Sequence, residues 1–228
     1  PNGGPVIATD GTVYQTTYTY DPATGDLVYN VVAITAIGGL AFTQLDGAPY
    51  GDLQTAPDNT AYYTLYTYDP TGDISFFITA VDSSGVLTAT TPLSGVPTGG
   101  LTFAPDGTAY QITYIDDPVT SETSYFVTGV ADGIATITPL TGYWYSEVLI
   151  APDSSAHLIT YTSDHATGDM TYYVTSITAT GATTTPLGGQ PWGVPQLRPD
   201  GSVLQTVDAG NGVTRIVVIK PADTAPVV

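Results

Sequence analysis

The sequence predicts an all-β protein, a five-bladed β-propeller with four antiparallel strands per blade. Three observations predict it. A turn motif recurs five times at a spacing of 47 or 48 residues. Runs of alternating apolar and polar residues fill the intervals, and no segment carries a helical period.

The recurring turn is Thr9-Asp10-Gly11, Pro57-Asp58-Asn59, Pro105-Asp106-Gly107, Pro152-Asp153-Ser154 and Pro199-Asp200-Gly201. Asp hydrogen-bonds the backbone ahead of it, and Gly or Asn accepts the left-handed conformation such a turn needs. After each turn, one aromatic slot holds Tyr14, Tyr62, Tyr110, His157 and Leu204. Four residues on stand Tyr18, Tyr66, Tyr114, Tyr161 and Asp208. β-Branched and aromatic residues at period two predict a strand.

A second turn follows: Asp21-Pro22-Ala23-Thr24-Gly25-Asp26, Asp69-Pro70-Thr71-Gly72-Asp73 and Asp164-His165-Ala166-Thr167-Gly168-Asp169. The third repeat keeps Asp117-Pro118 but has Ser121-Glu122-Thr123 in place of the Gly-Asp, and the fifth shortens the hairpin to Ala209-Gly210-Asn211-Gly212. The next strand carries Tyr29, Phe76, Tyr125, Tyr172 and Thr214, then Val31, Ile78, Val127, Val174 and Ile216. A fourth strand carries Leu45, Leu93, Leu140, Leu187 and Val227, and a strand leading into each anchor carries Pro5, Leu53, Leu101, Val148 and Pro195. Four short strands per unit is the grammar of a propeller blade, and radial closure protects the sheet edges. The expected blades are residues 1–48, 49–96, 97–143, 144–190 and 191–228. On this reading the ring closes by packing of the first and last blades without a strand swap.

Ala104-Pro105-Asp106-Gly107-Thr108-Ala109-Tyr110 resembles the turn into the second strand of bacterial propeller repeats of the YVTN, NHL and related "PDG" type. The turn is shared by many propeller families, so the resemblance implies the fold and no site residues. Repeat number and length also resemble five-bladed tachylectin-like lectins, whose Trp-rich signature is missing. Tyr18-Thr19-Tyr20-Asp21 and Tyr66-Thr67-Tyr68-Asp69 resemble RHS repeats, which are about half as long; paired immunoglobulin-like sandwiches are a further alternative.

Twenty-one acids stand against three bases, Arg198, Arg215 and Lys220, for a net charge of -18. That charge repels phosphate backbones and anionic membrane surfaces, which excludes nucleic acid as a partner class and leaves metal ions, basic proteins and neutral polymers. There is no Cys, hence no disulfide and no thiolate metal site. The longest mainly apolar stretch, Val31 to Phe42, is interrupted by Gly38-Gly39 and is too short to span a bilayer. The chain opens at Pro1 without Met and reads as a processed product or excised domain.

In a four-stranded blade the second-to-third-strand hairpins share a face with the loops between blades. The hairpins supply Asp21, Asp26, Asp69, Asp73, Asp117, Asp164 and Asp169, and the loops supply Trp144, Trp192, Tyr50, Tyr143 and Tyr145. Aromatic faces stack on sugar rings and carboxylates accept their hydroxyl hydrogens. Core residues recur in every blade, whereas a single site breaks the repeat. The departures are Trp144 in a Pro slot, Glu147, His157 in a Tyr slot, Ser121-Glu122 and the short fifth hairpin. The candidate ligand residues are therefore Trp144, Trp192, Tyr50, Tyr143, Tyr145 and Glu147. His157 reads as a buried, hydrogen-bonded substitute for Tyr. Asp21, Asp26, Asp69, Asp73, Asp164 and Asp169 are the candidate calcium ligands; otherwise no cofactor is expected.

No catalytic motif is present. The inner-strand slots Ile7, Thr55, Phe103, Ile150, Leu197 and Val6, Gln54, Thr102, Leu149, Gln196 contain no acid for a glycosidase pair. The expectation is a non-enzymatic extracellular binding module for protein or carbohydrate, the monomeric domain of a larger bacterial surface protein. The alternatives are a glycoside hydrolase-like propeller and a structural spacer.

Overall fold

A computed structural model describes residues 3–178, 181–210 and 212–220. Among these residues there is no helix, and the strands form five sheets in chain order. Sheet one comprises β1 (Val6–Ile7), β2 (Val13–Tyr20), β3 (Leu27–Ile34) and β4 (Leu40–Gln44). Sheet two comprises β5 (Ala48–Pro49), β6 (Gln54–Thr55), β7 (Ala61–Tyr68), β8 (Ile74–Val81) and β9 (Leu87–Pro92). Sheet three comprises β10 (Val96–Phe103), β11 (Ala109–Asp116), β12 (Thr123–Ala131) and β13 (Ile134–Pro139). Sheet four comprises β14 (Tyr143–Trp144), β15 (Leu149–Ile150), β16 (Ala156–Ser163), β17 (Met170–Thr178) and β18 (Gly181–Pro186). Sheet five comprises β19 (Gln190–Leu197), β20 (Val203–Asp208) and β21 (Thr214–Ile219). The pairing is antiparallel, as β2–β3, β7–β8, β16–β17 and β20–β21 illustrate.

The five anchor turns are built identically. The carboxylates of Asp10, Asp58, Asp106, Asp153 and Asp200 each accept the backbone N–H two residues on, at 2.8–3.0 Å. The residue after each Asp has positive φ: Gly11, Asn59, Gly107, Ser154 and Gly201. Ser154 at φ 67° shows that the turn is strong enough to impose this conformation on a β-carbon residue.

The chain divides into two compact units, Pro1–Thr113 with Thr128–Thr136 and Tyr114–Val127 with Ile137–Val228. In the first, Tyr14, Val31, Leu45, Leu53, Tyr63, Leu65 and Val81 form one buried cluster, and Tyr62, Ile78, Leu101 and Val130 belong to another. In the second, Ile159, Tyr172, Val174, Leu187, Val203, Val207 and Ile219 pack together. Val31, Ile78, Val127 and Val174, which share one repeat slot, are buried, whereas Ile216, the fifth member of the slot, is exposed. Each of the four buried side chains contributes about 1.5–3 kcal/mol of burial energy.

Four uninterrupted strands per repeat is corrected in two ways. The first strand is whole in sheets three and five but broken in two in sheets two and four. Sheet five has three strands among the described residues, and Val227, expected on its fourth strand, lies outside them, as does Asn211 of its hairpin. Two placements also shift. Leu53 and Val148 fall in the two breaks instead of on strands, and Pro5 stands one residue ahead of β1. Leu45, Leu93, Leu140 and Leu187 sit one residue past β4, β9, β13 and β18, although each N–H still reaches across to Tyr29, Phe76, Tyr125 or Tyr172 O.

A single slot on the second strand accompanies the breaks. It holds Gln15, Tyr63, Gln111, Leu158 and Gln205. Each Gln amide donates to a carbonyl of the segment that runs into its anchor turn: Gln111 to Thr98 O and Gln205 to Trp192 O on first strands, and Gln15 to Gly3 O ahead of β1, at 2.9–3.2 Å. Each also donates to the carbonyl following it in its own strand. The amide thus replaces a ladder bond where the first strand bulges, as between Trp192 and Gln196. Tyr63 and Leu158 have no amide, and their two sheets carry the broken strands.

Candidate functional site

The Asp hairpins are capped turns. Asp21 accepts Ala23 N–H, Asp117 accepts Val119 and Thr120 N–H, and Asp164 accepts Ala166 N–H, at 2.7–3.1 Å. Asp69 accepts Thr71 N–H, Thr71 Oγ1–H and Asp73 N–H at 2.6–2.9 Å. These bonds, the Thr71 hydroxyl first, hold the Asp69 carboxyl below the ordinary carboxylate value. Ser121 takes the position of the missing glycine at φ 58°, so the third hairpin keeps its turn without Gly. Of the second acids, Asp73 accepts Thr71 Oγ1–H at 3.1 Å, while Asp26 and Asp169 each donate their backbone N–H to a Thr hydroxyl. Among the described residues no three His, Asp or Glu side chains converge as a metal would need.

The aromatics behave differently. In the second unit, Tyr143 lies opposite Tyr161, and Tyr161 lies opposite Tyr172, just before the Asp164 hairpin. Ring centroids run Tyr114–Tyr125 6.1 Å, Tyr125–Tyr143 6.2 Å, Tyr143–Tyr161 5.4 Å and Tyr145–Tyr172 5.3 Å. The result is a continuous tyrosine ladder from sheet three to sheet four, held by stacked and edge contacts. Tyr172 anchors it in the core shared with sheet five. Burial, with smaller contributions from neighbouring tyrosines, raises the Tyr125 and Tyr172 hydroxyls above the ordinary value, so both stay protonated. Tyr145 remains 45% exposed, and Trp192 on β19 is 71% exposed with no ring contact among the described residues.

Tyr143, Tyr145, Trp144, Glu147 and Trp192 belong to the second unit, and Tyr50 to the first, where it packs on Phe76 at 4.9 Å and Tyr66 at 6.4 Å. Both tryptophans lie on first strands, correcting their expected place in loops, because the strands begin immediately after the preceding repeat. Trp144 is half-buried, and its Nε1–H donates to Ser146 O, which turns its polar edge inward. Glu147 is exposed in the break of the first strand. His157 is buried, with Ser155 Oγ 3.0 Å from Nε2 and Ser176 Oγ 2.8 Å from Nδ1, as expected of a core substitute for Tyr. Burial lowers its pKa, partly offset by Asp153.

Two elements were not singled out from sequence. Tyr125, Tyr161 and Tyr172 read there as strand residues, since their ring contacts depend on strand pairing and, for Tyr125 with Tyr143, on the packing of sheet three against sheet four. Asp52 shares its repeat slot with Glu147, and that equivalence was the available signal.

No protein-family profile matches the chain, and no curated protein matches it. Among solved structures, the β-propeller domain of the Trilobed protease from Pyrococcus furiosus, described as having an open velcro topology, superposes with a TM-score of 0.54 at 8% identity, covering 97% of this chain and 69% of that one. A protein of unknown function from Dyadobacter fermentans gives a TM-score of 0.39 at 14% identity, covering 94% and 74% of the two chains. An endo-arabinase from Bacteroides thetaiotaomicron gives 0.34 at 11% identity, covering 95% and 93%. The first of these supports a β-propeller fold for this chain.

Proposed function

We propose that the five sheets are the blades of one propeller, with blades at residues 1–48, 49–96, 97–143, 144–190 and 191–228, and that the chain is a non-enzymatic extracellular binding module. Its ligand is a neutral carbohydrate docked on the aromatic end of sheets four and five. The observation that carries this reading is the tyrosine ladder ending in exposed Tyr145, with a bare Trp192 on the adjoining sheet. A large exposed indole is costly to leave in water and is the kind of surface on which a sugar ring stacks. Glu147, Asp164 and Asp169 are exposed acids of the same unit that accept hydroxyl hydrogens from a sugar. The absence of acids from the inner-strand slots supports binding over turnover.

The test is tryptophan fluorescence during titration with a panel of neutral glycans. A saturable shift that disappears in Trp192→Ala is expected. A flat response across the panel overturns the carbohydrate reading. The charge of -18 favours a second reading, a basic protein partner. That reading predicts capture of the chain by a cationic partner, lost on raising salt from 50 mM to 500 mM, roughly a threefold shortening of the screening length.

A further inference from the structure

The break in sheet two lies against a cavity. Between Pro49 and Gln54 of the first strand and the facing segment of sheet one is a space of about 400 Å³, lined by Pro49, Gly51, Asp52, Leu53 and Tyr63 on one side and by Gly3, Gly4, Pro5, Val6 and Thr16 on the other. This is the size of a small-molecule site. Its rim is exposed at Gly3, Gly51 and Asp52, and its floor is buried at Leu53 and Tyr63. Tyr63 is 1% exposed, and its hydroxyl has no hydrogen-bond partner. A buried hydroxyl without a partner is a cost that a bound ligand removes.

The corresponding positions in sheet four carry different side chains. Ser146 occupies the slot of Gly51, and its Oγ accepts Ile159 N–H at 2.9 Å; Leu158 occupies the slot of Tyr63 and brings no polar atom. The polar floor and the open mouth come from Tyr63 and Gly51. A Cβ at Gly51 meets nothing within 4 Å, so the space in front of it is free.

The charge of the surroundings narrows the ligand. All three bases of the chain, Arg198, Arg215 and Lys220, lie in the second unit, so the first has Asp residues and no Lys or Arg. An anion is repelled there, and a cation meets no internal competitor. Burial first, and then the charge of Asp52, push the Tyr63 hydroxyl well above its ordinary value, so it stays a neutral donor. Asp52 asks for a positive donor and Tyr63 for an acceptor oxygen. A simple amine leaves the second unmet, and a neutral polyol leaves the charge of the first unmatched.

We propose that this cavity binds a small organic cation that also carries a hydroxyl group, the chemistry of an amino sugar or amino alcohol. Its ammonium sits against the Asp52 carboxylate. Its hydroxyl oxygen accepts from Tyr63 Oη, and its carbon skeleton rests on Pro49 and Leu53. The site is independent of the aromatic end of the second unit.

Calorimetric titration with glucosamine, with glucose and ethylamine as comparators, tests this. The expected result is saturable 1:1 binding of glucosamine, about tenfold tighter than either comparator. Asp52→Asn, on the exposed rim, weakens it about tenfold or more, and Tyr63→Phe weakens it several-fold. Gly51→Leu closes the mouth and abolishes binding, with far-UV circular dichroism confirming that each variant folds. Absence of glucosamine binding overturns the proposal. So does glucose binding of equal strength, or a titration unchanged by Asp52→Asn.

Discussion

Sheets two and four break their first strand at the same repeat position, yet the two breaks are different objects. In sheet four Ser146 stitches the gap to Ile159, Trp144 Nε1 donates to Ser146 O, and Leu158 fills the interior. In sheet two Gly51 stitches nothing, Tyr63 brings an unpaired hydroxyl and a cavity remains. Sheets three and five avoid a break with Gln111 and Gln205. In sheets two to five the unbroken first strands face a glutamine on the second strand and the broken ones do not, whereas in sheet one Gly3, Gly4 and Pro5 lie outside β1 although Gln15 is present. The residue at the gap differs too: Ser146 bridges it in sheet four, and Gly51 brings no side chain in sheet two.

The comparison can be broken first at Gln111. Gln111→Leu makes sheet three resemble sheet four without its serine and strands the carbonyls of Thr98 and Ile112. The expected loss is about 3 kcal/mol in urea unfolding, the largest effect of this set. Ser146→Gly converts the gap of sheet four toward that of sheet two and removes the acceptor of Ile159 N–H. A loss of about 1–2 kcal/mol is expected from the same measurement. Two phenols sharpen the contrast further. Tyr14 Oη donates to Asn59 O at 2.7 Å, so Tyr14→Phe costs about 1 kcal/mol. Tyr63→Phe removes a hydroxyl without a partner, and stability stays unchanged or rises slightly.

A further expected effect concerns pH. His157 is native in a slot where sheets one to three carry Tyr, and burial holds its folded pKa below the ordinary 6.5. As pH falls below about 6.5, the unfolded chain takes up a proton that the native chain refuses. Stability from this group is therefore complete above that pH and declines from there down to the folded pKa. His157→Tyr flattens thermal melts across this window. A separate loss begins below 3.8, where Asp69, Asp82, Asp117, Asp153 and Asp200, all held low by hydrogen bonds, must protonate to unfold the chain.

The repeat was legible because its turns are local. An Asp carboxylate capping the N–H two residues on, followed by a residue at positive φ, needs nothing from the rest of the chain, and five copies reinforce one another. The strand aromatics were legible for the same reason. The breaks were not, because the slot of Gln15, Tyr63, Gln111, Leu158 and Gln205 lies among alternating residues where its change disturbs no pattern. Its effect is exerted across the sheet on a neighbouring strand. Ring contacts such as that of Tyr50 on Phe76 were not legible, because they depend on which strands pair. Asp52 escaped notice although it occupies the slot of Glu147.

The most direct test of the account is residue-resolved amide hydrogen exchange along β10 in the native chain and in Gln111→Leu. The account predicts that the β10 amides exchange at least about tenfold faster in the variant, through local opening, with Leu101 least affected because its N–H donates to Gln54 Oε1 at 2.9 Å. Unchanged exchange along β10 would contradict it, since the glutamine would then not be what holds the strand.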